Sequence, residues 1–66
     1  MEIILNGKPH PLPRPMNVSE LVESLGFAGK RIAVEMNAEI VPRSRHATTP
    51  LAPGDQLEIV VAVGGG

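Results

Sequence analysis

The sequence contains no cysteine, tryptophan or tyrosine, and a single phenylalanine, Phe27, is its whole aromatic content. Without cysteine there is neither a disulfide framework nor a thiolate metal site, so a small core must hold by packing alone. That absence also suits a reducing cytosol. Charge of one sign is lacking too, with 6 basic against 7 acidic residues and a net charge of -1. Nucleic-acid binders carry a basic footprint, often with aromatic faces for stacking, so nucleic acid is not an expected partner. Met1 is followed by acidic, strand-like Glu2-Ile3-Ile4-Leu5. A secretory signal would show a basic region and a long apolar run there, and a membrane span a longer one still, so a soluble cytoplasmic protein is expected.

What remains is enough for one domain, residues 1–66, with a hydrophobic fraction of 42%. A chain this short buries only about 60% of the surface its unfolded form exposes, which leaves no room for a deep substrate cavity. Glu2 to Leu5 reads as a strand, and Asn6-Gly7 after it is the strongest short-range hairpin signal, because a type I′ turn needs positive φ at both central residues. The returning segment, Lys8 to Pro15, has proline at every second position. On a strand that spacing removes donors from one side only, which suits an edge strand whose proline side faces solvent. A polyproline-type linker has the same spacing and stays open as the alternative. Either way the segment is expected to be peripheral.

Asn17-Val18-Ser19-Glu20 has the form of a capping box, with Met16 and Leu21 at the staple positions. Val18, Leu21, Val22 and Leu25 then follow helical spacing, and Gly26 is placed to end a helix of about two turns whose apolar stripe is core. Ile32, Val34 and Met36 alternate with Ala33, Glu35 and Asn37, the period of a half-buried strand. A tight connection through Asn37-Ala38 leads to a short strand, Glu39-Ile40-Val41, closed by Pro42. Arg43 to Pro53 shows no clear period, and a turn or two with Leu51 tucked inwards is expected. Two histidines without cysteine are a weak metal signal, so His10 and His46 are read as surface residues and no metal site is expected. Pro53-Gly54-Asp55 signals a turn. The final strand follows, with Leu57, Ile59 and Val61 on one face and Glu58, Val60 and Ala62 on the other.

That strand runs directly into Gly64-Gly65-Gly66. Three glycines make a thread without side chains, reaching at most roughly 10 Å and thin enough for a channel closed to other residues. Its tip is an α-carboxylate with a reference pKa of about 3.3 to 3.7, hence ionised and inert until activated. Disorder of an ordinary terminus is the plainer reading.

The order of strand, hairpin, strand, helix, strand, short strand and long final strand before terminal glycines resembles the α+β, ubiquitin-like β-grasp superfamily. That fold implies a mixed sheet of four to five strands with one main helix across one face and a flexible tail, residues 64–66. Within it, Leu5-Asn6-Gly7, Val34 and Asn37 before Ile40-Val41-Pro42-Arg43, Leu51, Gly54-Asp55 and Val63 to Gly66 are similar to the ThiS-type sulfur carrier family of thiamin biosynthesis. The resemblance covers the whole chain, from which only the proline-rich second strand departs. It implies a carrier without catalytic side chains and with no permanently bound cofactor. An E1-like adenylyltransferase would use ATP and magnesium to adenylate Gly66. Sulfur from a cysteine desulfurase or another donor would convert it to a thiocarboxylate, and a thiazole synthase would accept the sulfur, with Gly64 and Gly65 threading into each enzyme. The free protein would be a monomer. The small subunit of molybdopterin synthase, with the same chemistry, and a ubiquitin-like modifier or interaction domain remain alternatives.

If the helix covers one face of the sheet, Ile4, Val60 and Ala62 lie on the other with nothing in the chain to cover them. Exposed apolar patches mark binding sites, so partners are expected to dock there beside the root of the tail. Arg43 and Arg45 are the alternative docking region.

Overall fold

The computed structural model describes residues 1–62. Gly64, Gly65 and Gly66 lie outside them. The elements run β1 (Glu2–Leu5), β2 (Lys8–Pro11), α1 (Val18–Ser24), β3 (Ile32–Met36), β4 (Glu39–Ile40), a 3₁₀ helix (Arg43–Thr48) and β5 (Gln56–Val61). The strands form one mixed sheet in the order β2-β1-β5-β3-β4, with β1 and β5 parallel and the other pairs antiparallel. Parallel partners need a long crossover between them. Here the crossover contains the helix, which is thereby laid on one face of the sheet.

The first hairpin turns as its sequence requires, with φ of 50° at Asn6 and 81° at Gly7. Pro9 lies opposite Ile4 and Pro11 opposite Glu2, while Lys8 and His10 pair with Leu5 and Ile3. Leu12 continues the same parity by donating its N–H to the Met1 carbonyl at 2.8 Å. The prolines therefore stand where no donor is needed, and β2 is an edge strand and not a polyproline linker. Its regular part ends at Pro11, short of the expected Pro15. Nor is the segment wholly peripheral, because Leu12 and Met16 are buried in the core.

In α1 the Glu20 N–H donates to Asn17 Oδ1 at 2.8 Å, and the Asn17 N–H donates to Glu20 Oε1 at 2.9 Å. These reciprocal bonds occupy donors that a helix start otherwise leaves empty. At the other end Gly26, with φ of 78°, donates to the Glu23 carbonyl and Phe27 to that of Val22, each at 3.0 Å. This is the Schellman pattern, and it folds Phe27 back against the core. Ile3, Val18, Leu21, Val34 and Leu57 are the largest fully buried side chains. Burying each such side chain is worth roughly 1.5–3 kcal/mol, so helix and sheet are held mainly by this layer.

Two asparagines pin β5 from either side. Beyond the end of β1, Asn6 donates its N–H to the Leu57 carbonyl at 2.8 Å, and its side-chain Oδ1 accepts the Ile59 N–H at 2.9 Å. Its Nδ2 donates to the Ile59 carbonyl at 3.3 Å, so the amide substitutes for the next peptide of β1. Asn37, at φ 52°, accepts the Gln56 N–H at 3.0 Å on its Oδ1 and donates its own N–H to the Gln56 carbonyl at 2.7 Å.

Between β4 and β5 the structure departs from the sequence reading. Arg43–Thr48 forms a 3₁₀ helix where only irregular turns were expected. Its repeat of three residues per turn leaves no amphipathic stripe of helical period to detect. Leu51 is buried as expected, whereas His46, expected at the surface, is only 9% exposed. Its Nε2 pairs with the Val41 carbonyl at 3.1 Å, which satisfies the ring inside the fold. A lone polar side chain gives no sequence sign of such a partner.

Candidate docking face and tail root

The last described contact of the chain lies just beyond β5, where the Ala62 N–H donates to the Arg31 carbonyl at 2.9 Å. On the β3 side β5 is held along its whole length by five registered pairs, from Ile32↔Val61 to Met36↔Leu57, whereas on the β1 side it is held only as far as Ile59.

The face of the sheet turned away from α1 is built from alternate residues of these strands. Ile4 lies beside Gln56, Val60 opposite Ala33, Glu58 opposite Glu35, and Ile40 beyond Glu35. Val60 is 63% and Ile40 69% exposed, Ile4 is half-buried, and Ala62 is exposed. A depression of about 300 Å³, lined by Ile4, Gly7, Glu35, Ala38, Gln56, Leu57 and Glu58, lies on this face towards the Gly7 and Ala38 turns, at the start of β5. The sequence reading missed Ile40 and Ala33 here. The period-two alternation of β3 placed Ala33 outward, but nothing in the sequence stated which strands would be neighbours.

The same face is acidic. Glu35 and Glu58 are registered directly across β3 and β5, and among the described residues neither joins an ion pair. Like charges in that position disfavour the isolated sheet by a few tenths of a kcal/mol, up to about 1. A cationic partner group would relieve the repulsion.

Arg43 is elsewhere. It begins the 3₁₀ helix on the α1 side, with Nη2 donating to the Lys30 carbonyl at 3.1 Å. The four residues Ile4, Val60, Ala62 and Arg43 thus do not form one patch. The first three share the outer face, and Arg43 lies round the edge near the tail root. Among the described residues no group of three or more acidic or imidazole side chains could hold a metal, and no helix is long and apolar enough to cross a membrane.

A mixed five-stranded sheet gripping one helix, with its last strand central and directed out of the fold, defines the class as a ubiquitin-like β-grasp domain. A family model described as the ThiS family matches residues 3–66. The crystal structure of a thiamine biosynthesis protein (ThiS) from Geobacter metallireducens superposes with a TM-score of 0.84 at 33% identity, covering all of both chains. A sulfur carrier protein ThiS from Thermus thermophilus is 36% identical over 62 residues, which cover 94% of this chain and 95% of the relative. A thiazole synthase from Paramagnetospirillum magneticum is 41% identical over 66 residues, which are the whole of this chain but 20% of that protein. The chain thus spans about a fifth of the thiazole synthases that it matches. The chain belongs to the ThiS family.

Proposed function

We propose that this chain is a sulfur carrier for thiamin thiazole formation, working through the carboxylate of Gly66. The observation that carries the reading is the family match, which runs through residue 66 and so includes the glycines. It favours this reading over the small subunit of molybdopterin synthase and over a protein modifier.

An E1-like adenylyltransferase holding ATP and magnesium would let the Gly66 carboxylate attack the α-phosphorus, releasing pyrophosphate and leaving an acyl adenylate. A persulfide charged by a cysteine desulfurase or another donor would attack that carbonyl and expel AMP, forming an acyl disulfide. A second thiol would cleave the S–S bond, giving the thiocarboxylate and a disulfide on the partner. A thiazole synthase would take the sulfur. Every thiol in this sequence of steps belongs to a partner, because the chain has no cysteine. The carrier's own contributions are a narrow thread, Gly64 to Gly66, and a surface by which it is held. Val60 and Ala62 beside the thread's root, and Ile4 on the same face but at the opposite end of β5, beside Gln56, are the docking residues of this reading, since exposed apolar groups favour a partner's surface over water.

Intact-mass measurement after incubation with ATP, magnesium, the activating enzyme and a sulfur source tests the reading. The expected result is exchange of one oxygen for one sulfur, located in the C-terminal peptide and absent when Gly66 is deleted. Sulfur on any other residue would overturn it.

A further inference from the structure

On the helix side of the molecule, between α1 and the 3₁₀ helix, runs a groove of about 270 Å³. Val22, Phe27 and Ile32 give it an apolar lining, Lys30 and Arg43 add two cations, and Glu23 is its one acidic residue. Among the described residues neither cation joins an ion pair. Arg43 is nevertheless fixed, because its bond to the Lys30 carbonyl commits one nitrogen and leaves the rest of the guanidinium free to donate.

The groove lies at the root of the tail. Lys30 and Arg31 are consecutive, with α-carbons about 3.8 Å apart. The carbonyl of Lys30 holds Arg43, and that of Arg31 holds Ala62. Ile32, in the groove lining, is registered with Val61 at the end of β5. A protein that draws in residues beyond Ala62 must therefore come close to these two cations. The outer sheet face offers the opposite charge, Glu35 and Glu58, so the domain presents chemically distinct surfaces on its two sides.

We propose that the groove between α1 and the 3₁₀ helix is a second docking surface, which takes a segment of the tail-accepting enzyme carrying a carboxylate beside an apolar side chain. The carboxylate meets Arg43 and Lys30, and the apolar side chain covers Phe27 and Ile32. Arg43 is suited to the first role because its planar fork matches a carboxylate in two-point contact. Glu23 disfavours a polyanion such as nucleic acid, and the net charge of -1 adds to that. The proposal rests on the sulfur-carrier reading and names the surface that reading leaves unassigned.

The test measures Kd between the full chain and a thiazole synthase for the wild type, Lys30→Glu, Arg43→Glu and the double variant. Lys8→Glu, which reverses a cation on the distant edge strand, is the control. The double variant is expected to bind at least about tenfold more weakly, and the loss should shrink at high salt, as it does for rim charges that steer association. Lys30→Arg should bind as the wild type does. A folded double variant with unchanged Kd would overturn the proposal, as would an equal loss in Lys8→Glu. Should Arg43→Glu disturb the fold through its lost bond to Lys30, Lys30→Glu still decides the matter. The Lys30 side chain makes no hydrogen bond among the described residues, and its reversal alone should weaken binding at least about threefold. Wild-type chain that does not bind the synthase overturns this proposal together with the functional reading. Binding lost on charge reversal, in a chain that never gains sulfur at Gly66, overturns the functional reading alone.

Discussion

Leu57 and Ile59 alternate along β5 with Glu58 and Val60, and the first two are 1% and 5% exposed whereas Val60 is 63% exposed. Ile3 and Ile4 repeat the contrast on β1, one fully buried and its neighbour half-buried. β-branched residues occur on both sides of the sheet, interleaved with glutamates on the outer one, and only the inner side has a helix. A β-branched residue therefore stabilises the domain on the inner face. On the outer face it is surface held ready for something else.

The comparison breaks hardest on the inner face. Leu57→Ala removes a fully buried side chain from the central strand and should cost about 2–5 kcal/mol. A domain this small has only about 3–10 kcal/mol of stability in all, by the usual yield per residue. Chemical denaturation should show a variant largely unfolded or close to it. A loss under about 1 kcal/mol would mean that the sheet's inner face is not the core.

Asn6→Ala tests whether the side-chain amide extends β1 along β5. It removes two hydrogen bonds to the Ile59 peptide and places alanine at φ 50°. About 1–3 kcal/mol should be lost, with faster hydrogen exchange at the Ile59 amide. If exchange at Ile59 is unchanged, the clamp contributes nothing.

Val60→Asp is the outer-face counterpart of Leu57→Ala. Denaturation should move by about 1 kcal/mol or less, since the side chain is exposed and only strand preference is lost. Binding to the activating enzyme and to the thiazole synthase should weaken, read as a rise in Kd. Unfolding by this change would put Val60 in the core and erase the difference between the two faces.

The smallest expected effect is at Glu20, remote from both faces. The Asn17 N–H, and after it the Arg14 guanidinium 3.0 Å away, hold this carboxyl below the usual carboxylate range. A folded-state pKa lowered in this way stabilises the helix start above the unfolded value of about 4.3, and the contribution is lost as pH falls through the folded value. The Asn17 amide resonance should report this loss on acidification. Glu20→Gln, which keeps an acceptor but has no charge to lose, should make that signal flat over the same range.

Much of this was legible before any coordinates, and the legible parts share a physical origin. The Asn6-Gly7 turn, the Asn17 capping box, the Gly26 helix stop and the alternation of Ile32 to Met36 all depend on residues within a few positions of one another. So does the edge role of β2, since the parity of its prolines is a local property. The readings that failed depended on partners far along the chain. His46 was read as a surface residue, and its buried state needs the cover of α1, more than twenty residues earlier in the chain. Leu12 becomes core because its pairing with Met1 puts it on the face of Ile3, which α1 covers.

The sequence alone determined the strands and the α-helix, their order and the two faces of each strand, because periodicity, caps and turn residues act over one or two turns of chain. Tertiary structure decided which strands are neighbours. That choice set Glu35 against Glu58 and Val60 against Ala33, and it brought Arg43 to the Lys30 carbonyl one residue from where Ala62 is held. Neighbouring strands are chosen by burial of the whole inner layer around α1, a quantity that no local window of residues contains.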